Sequence, residues 1–484
     1  MTTTVVDTGG SDNRPTTPDP RRATRAQWWW LAAIGGFGLV LRIVWVLVAR
    51  RNFALHGDDF FYHWQANALA DGMGFINPLT WKALHRIDPS GAHPPLYAMY
   101  LAVISKFGGT TPLAHRLAST VLGAGGVVLV GMVARRIAGP RAMLIAAFLA
   151  AVYPMLWIND GMLVSESLYI PLVALLLLFS YRLWDSRSWL DAALLGGAIG
   201  LAALTRPEAV MLVALVGLPF LFAKSTGDAK RQILMFLLIG GTCLVVILPW
   251  WVRNLTTFEK PVFLATGHGS VLQSANCDQT YSGPYLGYWN IECITAGRPP
   301  ANAQQQELLK SKDFPGVAYL LAQDPRDESV ADVKARTKAI HYIKDHITRA
   351  PLVAAARVGR VWGFFRVKQE VQFDDFFERR GHWPSWAGTL MYYALAALSI
   401  YALVWMRKRR IPISPMVAII VMVTFTAAIS IGITRYRVGA DVMLTILGGV
   451  GIDVLWRRFR PSPAPADAPA DGPADEPVPE LTGS

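Results

Sequence analysis

Residues 21–51 read RRATRAQWWWLAAIGGFGLVLRIVWVLVARR: three arginines, an apolar run from Trp28 to Ala49 whose one charge is Arg42, then two more arginines. The hydrocarbon core of a bilayer requires about 20 mostly apolar residues per helix, so 28–49 predicts a membrane span. Basic residues next to a span mark its cytoplasmic side, which puts Arg21, Arg22 and Arg25 inside. The Pro/Thr/Asp-rich tail at 1–27 reads as disordered and requires no cleavable signal peptide.

The rest of the chain extends that reading. Of 484 residues, 53% are hydrophobic and 17% charged, whereas soluble domains carry about 25% charge. A soluble enzyme of this length, a disordered chain and a disulfide-rich scaffold are thereby excluded. On a soluble surface the formal charge of +12 would point to nucleic acid; in a chain this apolar no nucleic-acid partner is expected. Nine further apolar runs follow, at 114–134, 140–157, 162–181, 189–205, 208–223, 232–251, 386–405, 413–433 and 437–456. With the first they predict an all-α polytopic membrane protein of about ten transmembrane helices.

Ten alternating helices make a parity test. With the N-terminus inside, every even-numbered helix must end in the cytoplasm. Those ends carry Arg135-Arg136, Arg182 with Arg187, Lys224 through Lys230-Arg231, Arg407 to Arg410, and Arg457-Arg458-Arg460. All five are basic, as the positive-inside rule requires. The tail at 457–484, rich in Pro, Ala and Asp, is then cytoplasmic and disordered. The membrane core divides into 28–251 and 386–456. Two long segments face outward: 50–113, and a loop domain at 252–385 expected to contain helices. Cys277 and Cys293 both fall in the latter, so a disulfide there fits an oxidising compartment, with two unpaired thiols as the alternative.

The first outer loop opens with His56-Gly57-Asp58-Asp59-Phe60-Phe61-Tyr62-His63-Trp64. Phe61, Trp64 and Ala68 follow helical spacing, which predicts an amphipathic helix lying on the interface. One of the two leading acids suffices as an N-cap; the other is free to serve as a base. His93-Pro94-Pro95-Leu96-Tyr97 follows, where the prolines set the start of another helix and His93 reads as a packing or hydrogen-bonding residue. No cluster has metal-ligand spacing. A divalent metal stays possible only if Asp58, Asp59, Asp160 and Glu166 converge.

Cations that break the positive-inside pattern carry more information. Arg206, Arg435 and Arg437 lie at outer helix ends, and Arg42 lies in the outer half of the first span. Such residues mark functional pathways or pair with anions, unless they merely snorkel. A phosphate at the membrane surface suits guanidinium groups, which bind it bidentately at any pH. Residues 349–366 carry an apolar stripe with Arg357 and Arg360 between, predicting a second surface helix whose arginines meet lipid headgroups. Glu166 starts the fourth helix, where it either stabilises the N-terminus or bridges to an arginine. Tyr281, Tyr285, Tyr288 and Trp289 suit stacking on sugars or a place at the membrane interface.

The ordered set resembles a known family. It comprises Asp58-Asp59, His-Pro-Pro-Leu-Tyr at 93–97, Ser165-Glu166, Leu-Thr-Arg-Pro-Glu at 204–208, Pro-Trp-x-x-Arg-Asn at 249–254 and Arg435-Tyr436-Arg437. Over residues 28–456 the chain is similar to glycosyltransferase family 39, GT-C fold membrane enzymes related to protein O-mannosyltransferases and the lipid A aminoarabinose transferase. The Cys277–Cys293 interval resembles actinobacterial members. The resemblance implies an inverting transfer of a sugar from a polyprenyl-phosphate donor to a hydroxyl of an envelope glycan, lipid or protein. The site would lie on the periplasmic or extracellular face of the plasma membrane.

Asp58 matches the family's catalytic acid. The family usually has Glu where this chain has Asp59. Arg435 and Tyr436 match a late motif near the donor phosphate. Taken with the charge pattern, Asp59, His93, Tyr97, Glu166, Arg206, Arg435 and Tyr436 are expected around donor and acceptor, and Arg42, Arg357, Arg360 and Arg437 at lipid phosphate or headgroups. With one phosphate to stabilise, no cofactor is required. A polyprenyl-linked sugar flippase or transporter is the alternative, and a non-catalytic sugar-binding scaffold a third. A transporter would hold its site near the bilayer midplane in a repeat, and no internal repeat is visible here.

Overall fold

The computed structural model describes residues 23–223, 228–296 and 326–459. The terminal tails beyond these limits, and Lys224, lie outside the described residues. Within them all regular structure is helical, apart from one isolated bridge between Ile76 and Pro89.

Helix occupies most of each of the ten apolar runs, but not all reach bilayer length. Six helices are long and apolar enough to cross: Arg25–Arg50, Pro112–Ala138, Glu166–Ser186, Ala229–Thr257, His382–Lys408 and Thr434–Phe459. A seventh crossing is the pair Pro140–Val152 and Pro154–Gly161, bent by 62°. Pro154 causes the break: it has no N–H to donate, and it pushes Tyr153 to extended backbone at φ −71°, ψ 114°. The runs at 189–205, 208–223 and 413–433 form the shorter helices Trp189–Ala203, Pro207–Leu221 and Ser414–Ile429. Local chemistry sets the ends. Thr24 and Gln27 form a capping box ahead of the first helix, and Thr111 caps the second span with Pro112 in its first turn.

Helices approach closely where a glycine stands in the contact, as in other membrane bundles. A Cβ on Gly196 would collide with the Ile239 carbonyl of the facing helix, and one on Gly449 would stand 2.6 Å from the Ala146 backbone. Thr434–Phe459 is almost wholly enclosed by its neighbours, whereas Arg25–Arg50 has most of its surface free for lipid. The basic helix ends gather on one face: Arg136 pairs with Asp185, Arg231 donates to the Arg187 carbonyl, and Arg457 to that of Ala138.

The described parts of 50–113 and 252–385 interlock at the other end. Glu328 accepts from Asn77, from the Gly91 backbone and from Thr266 at 2.8–3.0 Å. Arg253 donates to the Ser90 and Phe75 carbonyls. Cys277 and Cys293 are disulfide-bonded. The helix Asp58–Ala70 does not lie free on the interface as its spacing predicted. It packs against Leu96–Lys106 and buries nine of its 13 residues, polar His63, Gln65 and Asn67 included.

Candidate active site

Gly57, at φ 57°, supplies the N-cap of the helix Asp58–Ala70, so neither acid is consumed as a cap. Their side chains then diverge. Asp58 reaches Arg435, with Oδ2 2.6 Å from Nη2, and its Oδ1 lies 3.6 Å from His93 Nε2. Asp59 folds back into its own loop, accepting from the His56 and Phe60 backbone N–H groups. Burial raises the Asp58 pKa, but Arg435, His93 and Arg206 outweigh it and hold the group at about 2. Asp59 goes the other way: burial pushes it up to about 7 despite its hydrogen bonds and the nearby Arg116 and Arg379. Burial also lowers His93, an effect that Asp58 partly offsets.

Arg435 is the hub. Besides Asp58 it binds Glu166 through Nε and Nη2, and lies 3.8 Å from Glu378. Glu166 is shared with Arg206, which bonds Glu208 at 2.6 Å and lies 4.9 Å from the Tyr436 ring. The result is an alternating row, Asp58–Arg435–Glu166–Arg206–Glu208. Its members come from the head of Asp58–Ala70, the turn Thr434–Arg437, the start of Glu166–Ser186 and the turn after Trp189–Ala203. All these are helix ends opposite the basic face.

The Thr434–Arg437 turn is held by the helix Val367–Phe376. The Thr434 hydroxyl donates to Asp374 at 2.6 Å and its backbone N–H to Glu370; Glu370 is tied to Arg360 at 2.9 Å. Burial, reinforced by Asp374 and opposed by Arg360, raises Glu370 to about 8. Tyr97 is one layer away, its ring 5.0 Å from Tyr62 and its hydroxyl on Ser119 at 2.8 Å. Tyr62 and Phe61 in turn pack on His93.

The four arginines expected at lipid phosphate or headgroups turn inward instead. Arg42 pairs with Asp160 at 2.9 Å, both almost fully buried. Arg437 pairs with Asp441 at 3.0 Å beneath the Tyr392 ring. Arg357 donates to the Ala275 and Ala428 carbonyls, and Arg360 to Glu370, Gln369 and the Leu286 carbonyl. A guanidinium in low dielectric takes whatever acceptors the fold places nearby, and each of these found protein ones. Glu378 escaped the sequence reading. The Arg379-Arg380 pair beside it, basic on the outward side, was the available signal.

Asp58 and Glu166 already face guanidinium groups, and among the described residues no three His, Cys, Asp or Glu side chains are grouped to ligate a metal ion. Asp160, one of the acids considered for a metal, belongs to the Arg42 pair.

A search of curated protein sequences returns no match. Residues 92–252 match the family profile of dolichyl-phosphate-mannose-protein mannosyltransferases. Among solved structures, the Archaeoglobus fulgidus oligosaccharyltransferase, in complex with an inhibitory peptide and a dolichol-phosphate, aligns at 14% identity and a TM-score of 0.52, over 90% of this chain and 51% of that one. The chain thus spans about half the length of that relative. ArnT from Cupriavidus metallidurans bound to undecaprenyl phosphate aligns at 14% identity and a TM-score of 0.42, over 89% of this chain and 78% of that one. The fold is therefore that of the GT-C membrane glycosyltransferases, and residues 92–252 carry the profile of the dolichyl-phosphate-mannose-protein mannosyltransferases.

Proposed function

We propose that the protein is an inverting glycosyltransferase of the plasma membrane, moving a sugar from a polyprenyl-phosphate donor to a hydroxyl acceptor on the outer face. The observation that carries the reading is the contact between Asp58 and Arg435. A base and a cation suited to phosphate meet at the helix ends, with Asp58 about a third exposed. Their place away from the bilayer midplane is also what disfavours a transporter.

In the proposed step the acceptor O–H gives its proton to the Asp58 carboxylate as its oxygen attacks the anomeric carbon. The bond from that carbon to the phosphate oxygen breaks with its electron pair. Polyprenyl phosphate leaves with one more negative charge, which Arg435 and Arg206 stabilise. Attack opposite the leaving group inverts the anomeric centre. No cation is invoked, since two guanidinium groups face a single phosphate.

Donor binding also prepares the base. With pKa about 2, Asp58 is ionised but a weak proton acceptor while it holds Arg435. A donor phosphate competes for that guanidinium, frees the carboxylate and lets its basicity rise. Asp58→Asn tests the reading: transfer should fall by at least ~100-fold while the protein still binds donor. Undiminished turnover of the purified variant would remove Asp58 from the mechanism.

A further inference from the structure

A cavity of about 580 Å³ opens in the outer domain, lined by Tyr285, Trp289 and Phe377 together with Asp278, Asn290 and Glu292. Tyr285 and Trp289 pack in one apolar cluster with Tyr436, and Phe377 precedes Glu378, which lies 3.8 Å from Arg435, so the cavity lies beside the acid–arginine row. Its walls are braced. The Cys277–Cys293 disulfide closes the segment that supplies most of the lining, Tyr342 donates to Asp278 at 2.7 Å, and Arg349 to the Tyr281 carbonyl at 2.6 Å. Tyr285 stacks on Phe373 with 13° between planes, and Trp289 on Tyr288 with 24°. Both rings are thus backed by a second aromatic ring and contribute to the cavity lining.

We propose that this cavity is the acceptor subsite and that the acceptor is an uncharged glycan; the proposal rests on the transferase reading above. An aromatic face takes the C–H side of a sugar ring, while carboxylates and an amide on the rim bond its hydroxyls. Asp278 and Glu292 repel anionic acceptors.

The test measures binding to the purified full chain in detergent, without donor, by saturation-transfer NMR and calorimetry. The probes are methyl glycosides of increasing length, hexose and pentose, and a Ser/Thr-rich peptide. Glycoside binding is expected, weakened about tenfold (~1.4 kcal/mol) by Trp289→Ala. Glu292→Gln, at an exposed rim position, should weaken it in the same sense and guards against misfolding of the tryptophan variant. Binding of the peptide alone, of no probe, or of glycosides unaffected by both substitutions overturns the proposal. Glycoside binding by a protein that releases no polyprenyl phosphate from any donor supports the cavity and removes the transferase reading instead.

Discussion

Asp58 and Asp59 are adjacent in sequence, yet one is held at about 2 by Arg435, His93 and Arg206 and the other is lifted to about 7 by burial. Two predictions follow from that divergence. The acid limb of kcat/KM reports the free enzyme and that of kcat the complex, so if donor phosphate displaces Asp58 from Arg435, the kcat limb lies at higher pH. Coincident limbs in pH–rate profiles would contradict the displacement. For Asp59, a carboxyl raised from 3.8 to about 7 keeps its proton in the native state. Its contribution to stability is complete below the unfolded value and is lost as pH climbs through about 7. Asp59→Asn, which keeps the accepting oxygen, should flatten that decline in thermal unfolding. An equal decline in both proteins would refute the assignment. The acidic pair was legible in the sequence; its division of labour was not, because it depends on a turn at Gly57 and an arginine far along the chain.

The element that positions Arg435 is the turn Thr434–Arg437, clamped by Asp374 and Glu370. Thr434→Val removes a buried hydrogen bond to a carboxylate, a loss of about 1.5–3 kcal/mol. It should raise the donor KM more than it lowers kcat, and a change in kcat alone would place the turn outside donor binding. Between helices, Gly196→Val overpacks the contact with Ile239 and should cost about 1–3 kcal/mol or more, read as a lower unfolding temperature. Hydrophobic run length marked where helices form, since it depends only on local composition, but not which of them reach bilayer length: six do, and a seventh as a bent pair. It missed the break at Pro154, although Tyr153-Pro154 announces one. It also misplaced Arg357 and Arg360. An amphipathic stripe tells which face is polar, but not that the polar face meets the Ala275 and Leu286 carbonyls rather than headgroups.

Across the whole molecule, the basic helix ends and the acid–arginine row occupy opposite ends of the bundle, and the proposed orientation puts the row outside. Cysteine introduced at Ser282, beside the cavity, should react with an impermeant maleimide on intact cells; cysteine at Arg409 should react only after lysis. The reverse pattern would invert the topology. Charge placement made this layout readable from sequence, because each basic cluster adjoins its own span. The pairing of Arg42 with Asp160 was not readable, since only packing brings the two helices together. The central claim is tested by following radiolabelled polyprenyl-phosphate sugars with purified wild-type and Asp58→Asn protein. The account predicts that the wild type releases polyprenyl phosphate in step with glycoside labelling, with inverted product, while the variant binds donor and releases almost none. Donor consumption without acceptor labelling, a retained anomeric configuration, or equal release by both proteins would contradict it.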